Sequence, residues 1–130
     1  VEFCGRVDQL TLAKEQQAAR VWAYPYPYDS HTETSCITAM EAMAAGMTPV
    51  VTESGALPET LGPDVGSVLV KNADGSFPDA AFVERVVDGL TDPVIFTTNL
   101  LEGRARAATL SWQGVADEWD AWFSSILSTV

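Results

Sequence analysis

Two glutamates, Glu33 and Glu41, bracket the run E-T-S-C-I-T-A-M-E, which continues as A-M-A-A-G. An apolar helical pattern fills the interval. Gly46 follows it, a residue that can take the left-handed conformation just past a helix C-terminus. Eight residues along an α-helix rise about 12 Å in a little over two turns. The two carboxylates therefore fall near one face, one at the start and one deep along the helix. A ligand lying along that face could offer hydroxyls at both ends and an anion in the middle. The anion would meet the helix N-terminus, where free N–H groups and the dipole favour negative charge. A nucleoside diphosphate sugar has that layout: sugar, diphosphate, ribose.

The elements that must position such a helix alternate between strand and helix patterns. Val1–Val7 reads as a strand, Leu10–Arg20 as a helix, and Val21–Tyr24 as a strand broken by Pro25 and Pro27. Ser35–Ala45 is the motif helix, with Thr34 or Ser35 as its N-cap. Pro49–Thr52 and Ser67–Val70 are short strands, and Asn72–Pro78 is a polar turn. Asp79 caps a helix to Leu90 whose apolar face is Phe82, Val83, Val86, Val87 and Leu90. Two helices follow the Asp92–Pro93 break, Val94–Leu110 and Gln113–Leu127. The last carries Val115, Trp119, Trp122, Phe123 and Ile126 at helical spacing. The fold class is α/β: a Rossmann-like parallel sheet of about four strands flanked by helices. Ligands in such sheets bind at the carboxyl ends of the strands, where the loops Tyr24–Thr34 and Thr52–Thr60 lie.

The composition fits one folded domain: 130 residues, 47% hydrophobic. Seven Lys and Arg against eighteen Asp and Glu give a net charge of −11, which disfavours nucleic acid and anionic membranes as partners. No apolar run approaches the ~18 residues of a membrane span, and no signal peptide is evident. The chain opens at Val1 inside a strand pattern without a methionine, as a fragment or trimmed product would. Cys4 and Cys36 do not form a disulfide framework. Cys4 reads as a core residue. Cys36 falls at the first turn of the motif helix, where the dipole could lower its pKa, but the only histidine is His31. A small residue that lets phosphate approach the backbone is the simpler reading of Cys36.

Five ordered segments resemble one family. V-E-F-C-G-R-V, V-W-A-Y-P-Y-P-Y, A-M-E-A-M-A-A-G-M-T-P-V-V-T, S-G-A-L-P-E-T and S-W-Q-G-V-A-D-E-W are similar to the conserved pattern of retaining glycosyltransferases with a GT-B fold, family four of the glycosyl transferases group 1, which carry an E-x7-E motif. A bare E-x7-E has no value as a signal; the ordered set does. The resemblance covers nearly the whole chain and implies an N-terminally incomplete C-terminal domain that binds a nucleoside diphosphate sugar. The expected reaction moves a sugar onto an acceptor hydroxyl with retention at the anomeric carbon.

The resemblance also implies roles. Glu33 is the expected catalytic residue and holds hydroxyls of the donor sugar. Glu41 accepts hydrogen bonds from the ribose diol. Thr34, Ser35, Cys36 and Ile37 supply backbone N–H groups to the diphosphate, although the family usually has a Gly-containing run there. The loop from Arg6 and Val7 to Gln9 contacts the base, or is an ordinary strand-end turn. Gly55 and Ala56 lie near the sugar, or form only a tight turn. His31 reads as a loop residue. The cluster of Trp112, Trp119 and Trp122 reads as packing rather than a sugar platform. No metal or other cofactor is expected. The family's Arg and Lys on the diphosphate have no counterpart here, nor has its acceptor-binding N-terminal domain, so the chain alone is expected to be inactive. A cytoplasmic location is expected. A homodimer through an exposed strand edge or the Trp-rich C-terminal helix is a further expectation: Val1–Val7 should slide in beside Val21–Tyr24 and leave a free apolar edge. A catalytically silent nucleotide-binding or protein-interaction module, and a relative that binds another phosphorylated ligand, are the competing readings.

Overall fold

The computed structural model describes residues 2–26 and 34–128. The described elements run α1 (Gln9–Ala18), β1 (Val21–Tyr24), α2 (Ile37–Ala45), β2 (Thr48–Thr52), α3 (Leu57–Leu61), β3 (Ser67–Leu69), α4 (Asp79–Thr91), α5 (Pro93–Thr109) and α6 (Trp112–Leu127). The three strands form one parallel sheet in the order β1-β2-β3. Val21 is opposite Thr48, and Val50 is opposite Ser67. The architecture is the expected Rossmann-like one.

β2 is the central strand, and all five of its residues are buried. A central strand covered on both faces is mostly apolar; T-P-V-V-T has Pro49, Val50 and Val51 in its middle and β-branched threonines at its two ends. Alternate residues point to opposite faces. Val51 joins the main core with Cys36, Ala39, Met43, Leu57, Leu61 and Val65. Thr48 faces α4, where Gly89 leaves room for Thr48 and Val21 side chains that a Cβ would crowd. At the end of α2, Gly46 takes φ +90° and donates its N–H to the carbonyls of Ala42 and Met43, the termination expected from the sequence.

Four expectations need correction. First, residues 2–7 are exposed and form no strand, so the sheet has three strands rather than about four. Gly5 at φ +65° turns the backbone out of the extended region. α1 buries no residue, so it supplies no apolar face to lie on the sheet and carry a crossover. Cys4 is accordingly exposed, not a core residue. Second, the segment around Pro58, expected as a loop, is the short helix α3. Third, α4 uses Phe82 and Gly89 as its buried positions, and Val83, Val87 and Leu90 remain exposed. Fourth, the tryptophans of α6 do not pack into the domain. Trp119 and Trp122 are about half exposed and Trp112 more so.

One buried polar residue ties the C-terminal helices to the sheet. Asn99, in α5, accepts the N–H of Gly66 on Oδ1 at 2.6 Å and donates from Nδ2 to the Ile95 carbonyl at 2.9 Å. Replacing Asn99 with leucine strands that N–H just ahead of β3. The expected cost is about 1–3 kcal/mol, the desolvation penalty of an unsatisfied buried donor. Urea denaturation of the variant measures it, and unchanged stability would mean that the bond contributes nothing.

Candidate functional site

β1 ends at Tyr24 at the carboxyl edge of the sheet, and α2 starts at Ile37. Thr52, at the same end of β2, donates its hydroxyl to the Tyr26 carbonyl at 2.6 Å. Trp22, Tyr24 and Tyr26 stack in sequence, with ring centroids 4.9 and 5.5 Å apart. These contacts fix the exit of β1 above the sheet edge where ligands of such sheets bind. Glu33 and His31 lie outside the described residues.

α2 begins later than the sequence suggested. Its N-cap is Cys36, not Thr34 or Ser35, and no side chain caps its first N–H groups. The cause is a tight turn in which the Ile37 N–H donates to the Ser35 carbonyl at 3.0 Å. Ser35 thereby stays outside the helix, and the Ile37 N–H is engaged within the turn. Thr34, Ser35 and Ile37 are exposed. The Cys36 side chain is 3% exposed within the core cluster, with its Sγ 3.3 Å from Thr38 Oγ1. Cys36 is therefore buried as a whole residue, thiol included.

Glu41 follows one turn along α2 and is partly buried. Its Oε1 accepts a hydrogen bond from Gln9 Nε2 at 2.8 Å. That bond links α2 to the first residue of α1, and the chain just ahead of it carries Arg6 and Val7, both exposed. Asp8 places Gln9 there by capping α1: its Oδ1 accepts the Thr11 N–H at 2.8 Å and its Oδ2 the Thr11 hydroxyl at 3.1 Å. The Thr11 N–H, and then its hydroxyl, hold the Asp8 carboxyl below its ordinary value of 3.8. A depressed carboxylate pKa contributes to the folded state above the unfolded value, and the contribution is lost as pH falls through the folded one. Protection of the Thr11 amide, relative to its intrinsic exchange rate at each pH, is therefore expected to fall on acidification below pH ~3.8, with an Asp8→Asn variant less affected. Acid-insensitive protection at Thr11 would contradict this.

A cavity of about 190 Å³ lies between the start of α2 and α3, lined in part by Thr34, Ser35, Met40, Ala56, Glu59 and Arg106. The exposed turn before it carries Gly55 at φ +51°. The structure thus brings Thr34 and Ser35 together with Ala56, the neighbour of Gly55. It does not bring Glu41 to that cavity. Consecutive residues of a helix are about 100° apart around the axis, so α2 turns Met40 to the cavity and Glu41 to α1. The candidate site therefore flanks the first half of α2 on two sides. A larger cavity of about 760 Å³ lies beyond Arg106, along Pro58, Gly62, Pro63 and Gly66; no residue of α2 lines it.

Arg106 was not singled out by sequence. It donates from Nε to the Thr60 carbonyl at 3.1 Å and from Nη2 to the Glu59 carbonyl at 2.6 Å, closing the C-terminal end of α3. Its position in the last turn of α5 is the usual place for a cation on a helix, but that signal does not say which other helix it reaches. Arg104 and Arg20 behave alike, donating to the carbonyls of Ala45 and Leu90. Among the described residues, no cluster of His, Cys, Asp or Glu could hold a metal ion. No described helix is long and apolar enough to cross a membrane.

The model of the family glycosyl transferases group 1 matches residues 1–92. A search of curated proteins gives no match. Among solved structures, sucrose-phosphate synthase from Thermosynechococcus elongatus is similar over 100% of this chain, with 26% sequence identity and a TM-score of 0.65. The chain spans 31% of that protein. With the family model matching well over half its length and the fold agreeing, the chain belongs to the glycosyl transferases group 1.

Proposed function

We propose that this chain is the donor-binding part of a retaining glycosyltransferase and takes a nucleoside diphosphate sugar. The observation that carries the reading is the arrangement around α2: an uncapped helix N-terminus opening at the carboxyl edge of a parallel sheet, with a carboxylate one turn along it. The exposed Thr34 and Ser35 meet the diphosphate, with the buried Cys36 anchoring the turn behind them. Glu41, oriented by Gln9, takes the ribose diol on its remaining oxygen. Arg6 and Val7 lie on the base side, and Gly55 and Ala56 on the sugar side. Glu33, as the first glutamate of the motif, holds the sugar hydroxyls.

Charge separates this role from complete catalysis. Departure of a nucleoside diphosphate requires cations fixed against it, and transfer requires an acceptor held in line. Arg20, Arg104 and Arg106 are engaged on helix carbonyls and Arg85 on Asp88. The net charge of −11 opposes an anionic ligand. In this reading the cations against the diphosphate and the acceptor site come from further parts of a longer protein, this chain spanning 31% of sucrose-phosphate synthase. The purified chain should bind nucleoside diphosphates in the millimolar range and transfer no sugar. Titration with uridine, guanosine and adenosine diphosphates, followed by amide chemical shifts at Thr34–Ile37 and Glu41, tests the binding role. Shifts confined elsewhere, or sugar transfer by the chain alone, would refute the respective half of the proposal.

A further inference from the structure

Arg106 joins α5 to the turn on the sugar side of the proposed site. α3, which follows that turn, is five residues long, too short to hold a helical conformation by itself. No side chain caps its first N–H groups. Leu57 and Leu61 are fully buried, one turn apart on one face. They set the depth of α3 against the core but leave it free to slide along its own axis. The carbonyls at the end of a helix point along that axis and lack partners within it. Arg106 takes two of them in succession, Thr60 at 3.1 Å from Nε and Glu59 at 2.6 Å from Nη2. Two bonds from one planar guanidinium fix the end of α3 in position and direction.

Thr60 passes that constraint on. Its carbonyl accepts from Arg106, and its N–H donates to the Ala56 carbonyl at 2.8 Å. Just ahead, the Leu57 N–H donates to the Ser54 carbonyl at 3.1 Å, around Gly55 at φ +51°. The support behind Arg106 is firm: Asn99 ties α5 to the chain entering β3, and Gly103 lies in van der Waals reach of Met43 in α2. Ala56, Thr34, Ser35 and Arg106 line the same 190 Å³ cavity. We propose that Arg106 is a positioning residue for the donor sugar: through α3 it holds the Gly55–Ala56 turn against the start of α2. The proposal rests on the donor-site reading given above. Nε and Nη2 are engaged on α3, so Arg106 acts through the turn. Releasing α3 displaces the sugar side and leaves the diphosphate and ribose contacts of α2 as they are.

The test uses the full chain, the diphosphates of uridine, guanosine and adenosine, and their glucose and mannose esters, with affinities read from amide chemical shifts. Arg106→Met keeps the apolar stem and removes the donors. It should weaken the best-bound ester roughly tenfold, about the contribution of one hydrogen bond. The corresponding free diphosphate should change by less than about twofold, as for a substitution outside its contacts. Arg106→Lys keeps the charge but lacks the fork and should fall between, and it carries the same comparison should Arg106→Met not fold. Without ligand, the Gly55 and Ala56 amide resonances should move in Arg106→Met while those of Ile37–Ala45 stay in place. A merely structural role would weaken ester and diphosphate alike. That uniform loss, or unchanged ester binding in both variants, would overturn the role of Arg106 and leave the donor site standing. A parent chain that binds none of these nucleotides would refute the donor-site reading itself, and the proposal with it.

Discussion

Met43→Ala is expected to destabilise the domain by about 2–5 kcal/mol, the range for truncating a buried Leu, Ile or Met side chain. Met43 is fully buried and is among the largest such side chains in the protein. It projects from α2 into the core formed with Val51, Leu57 and Leu61. Gly103 of α5 lies directly over it, where an added Cβ would be 3.7 Å from the Met43 Cβ. The hole left by alanine is therefore bounded by the crossing of two helices and by the central strand, elements that cannot all collapse inward. A well-packed interior transmits such a loss rather than absorbing it. Met43→Leu keeps most of the volume and should cost less than about 1.5 kcal/mol. Urea denaturation followed by circular dichroism separates the two. An alanine variant within about 0.5 kcal/mol of the parent, the range of ordinary surface substitutions, would show that α2 is not held in place by this packing.

The features legible in the sequence are those that local chemistry decides. V-W-A-Y and T-P-V-V-T form strands because β-branched and aromatic side chains suit a buried sheet, and Gly46 stops α2 because it tolerates a positive φ. The family and the sheet type followed from ordered segments. Features decided by partners distant in sequence were misread. V-E-F-C-G-R-V has strand-like residues, but an extended segment stays in a sheet only if something buries one of its faces, and α1 offers no apolar face to do so. The Gln9–Glu41 bond and the reach of Arg106 to Glu59 and Thr60 span 32, 47 and 46 residues, and no local pattern records such pairings. Cys36 was singled out for its place near a helix N-terminus, but the turn at Ser35 rotated its side chain into the core. The α6 tryptophans show the opposite error. Helical spacing correctly marked an apolar face, yet the spacing does not say whether the surface that covers it belongs to the same chain.

Glu41→Ala is expected to weaken nucleoside diphosphate binding by ~1.5–3 kcal/mol, the contribution of hydrogen bonds to a charged group, or roughly 10- to 150-fold in Kd. The stability of the free chain should change little. Glu41 is only partly buried, and its partner Gln9 is an exposed side chain that water can solvate once the carboxylate is gone. The loss should therefore appear in binding rather than in folding, which separates this variant from Met43→Ala. Gln9→Ala should cause a smaller loss, because the carboxylate remains and only its orientation is released; hydrogen bonds between neutral and charged groups lose strength steeply with misalignment. The decisive comparison uses a 2′,3′-dideoxynucleoside diphosphate. It keeps the base and the diphosphate and lacks only the diol, so its affinity should be the same for the parent chain and Glu41→Ala. A diphosphate-directed or purely structural effect would lower both ligands equally, and that outcome would exclude Glu41 as the ribose ligand while leaving the family assignment and the fold untouched.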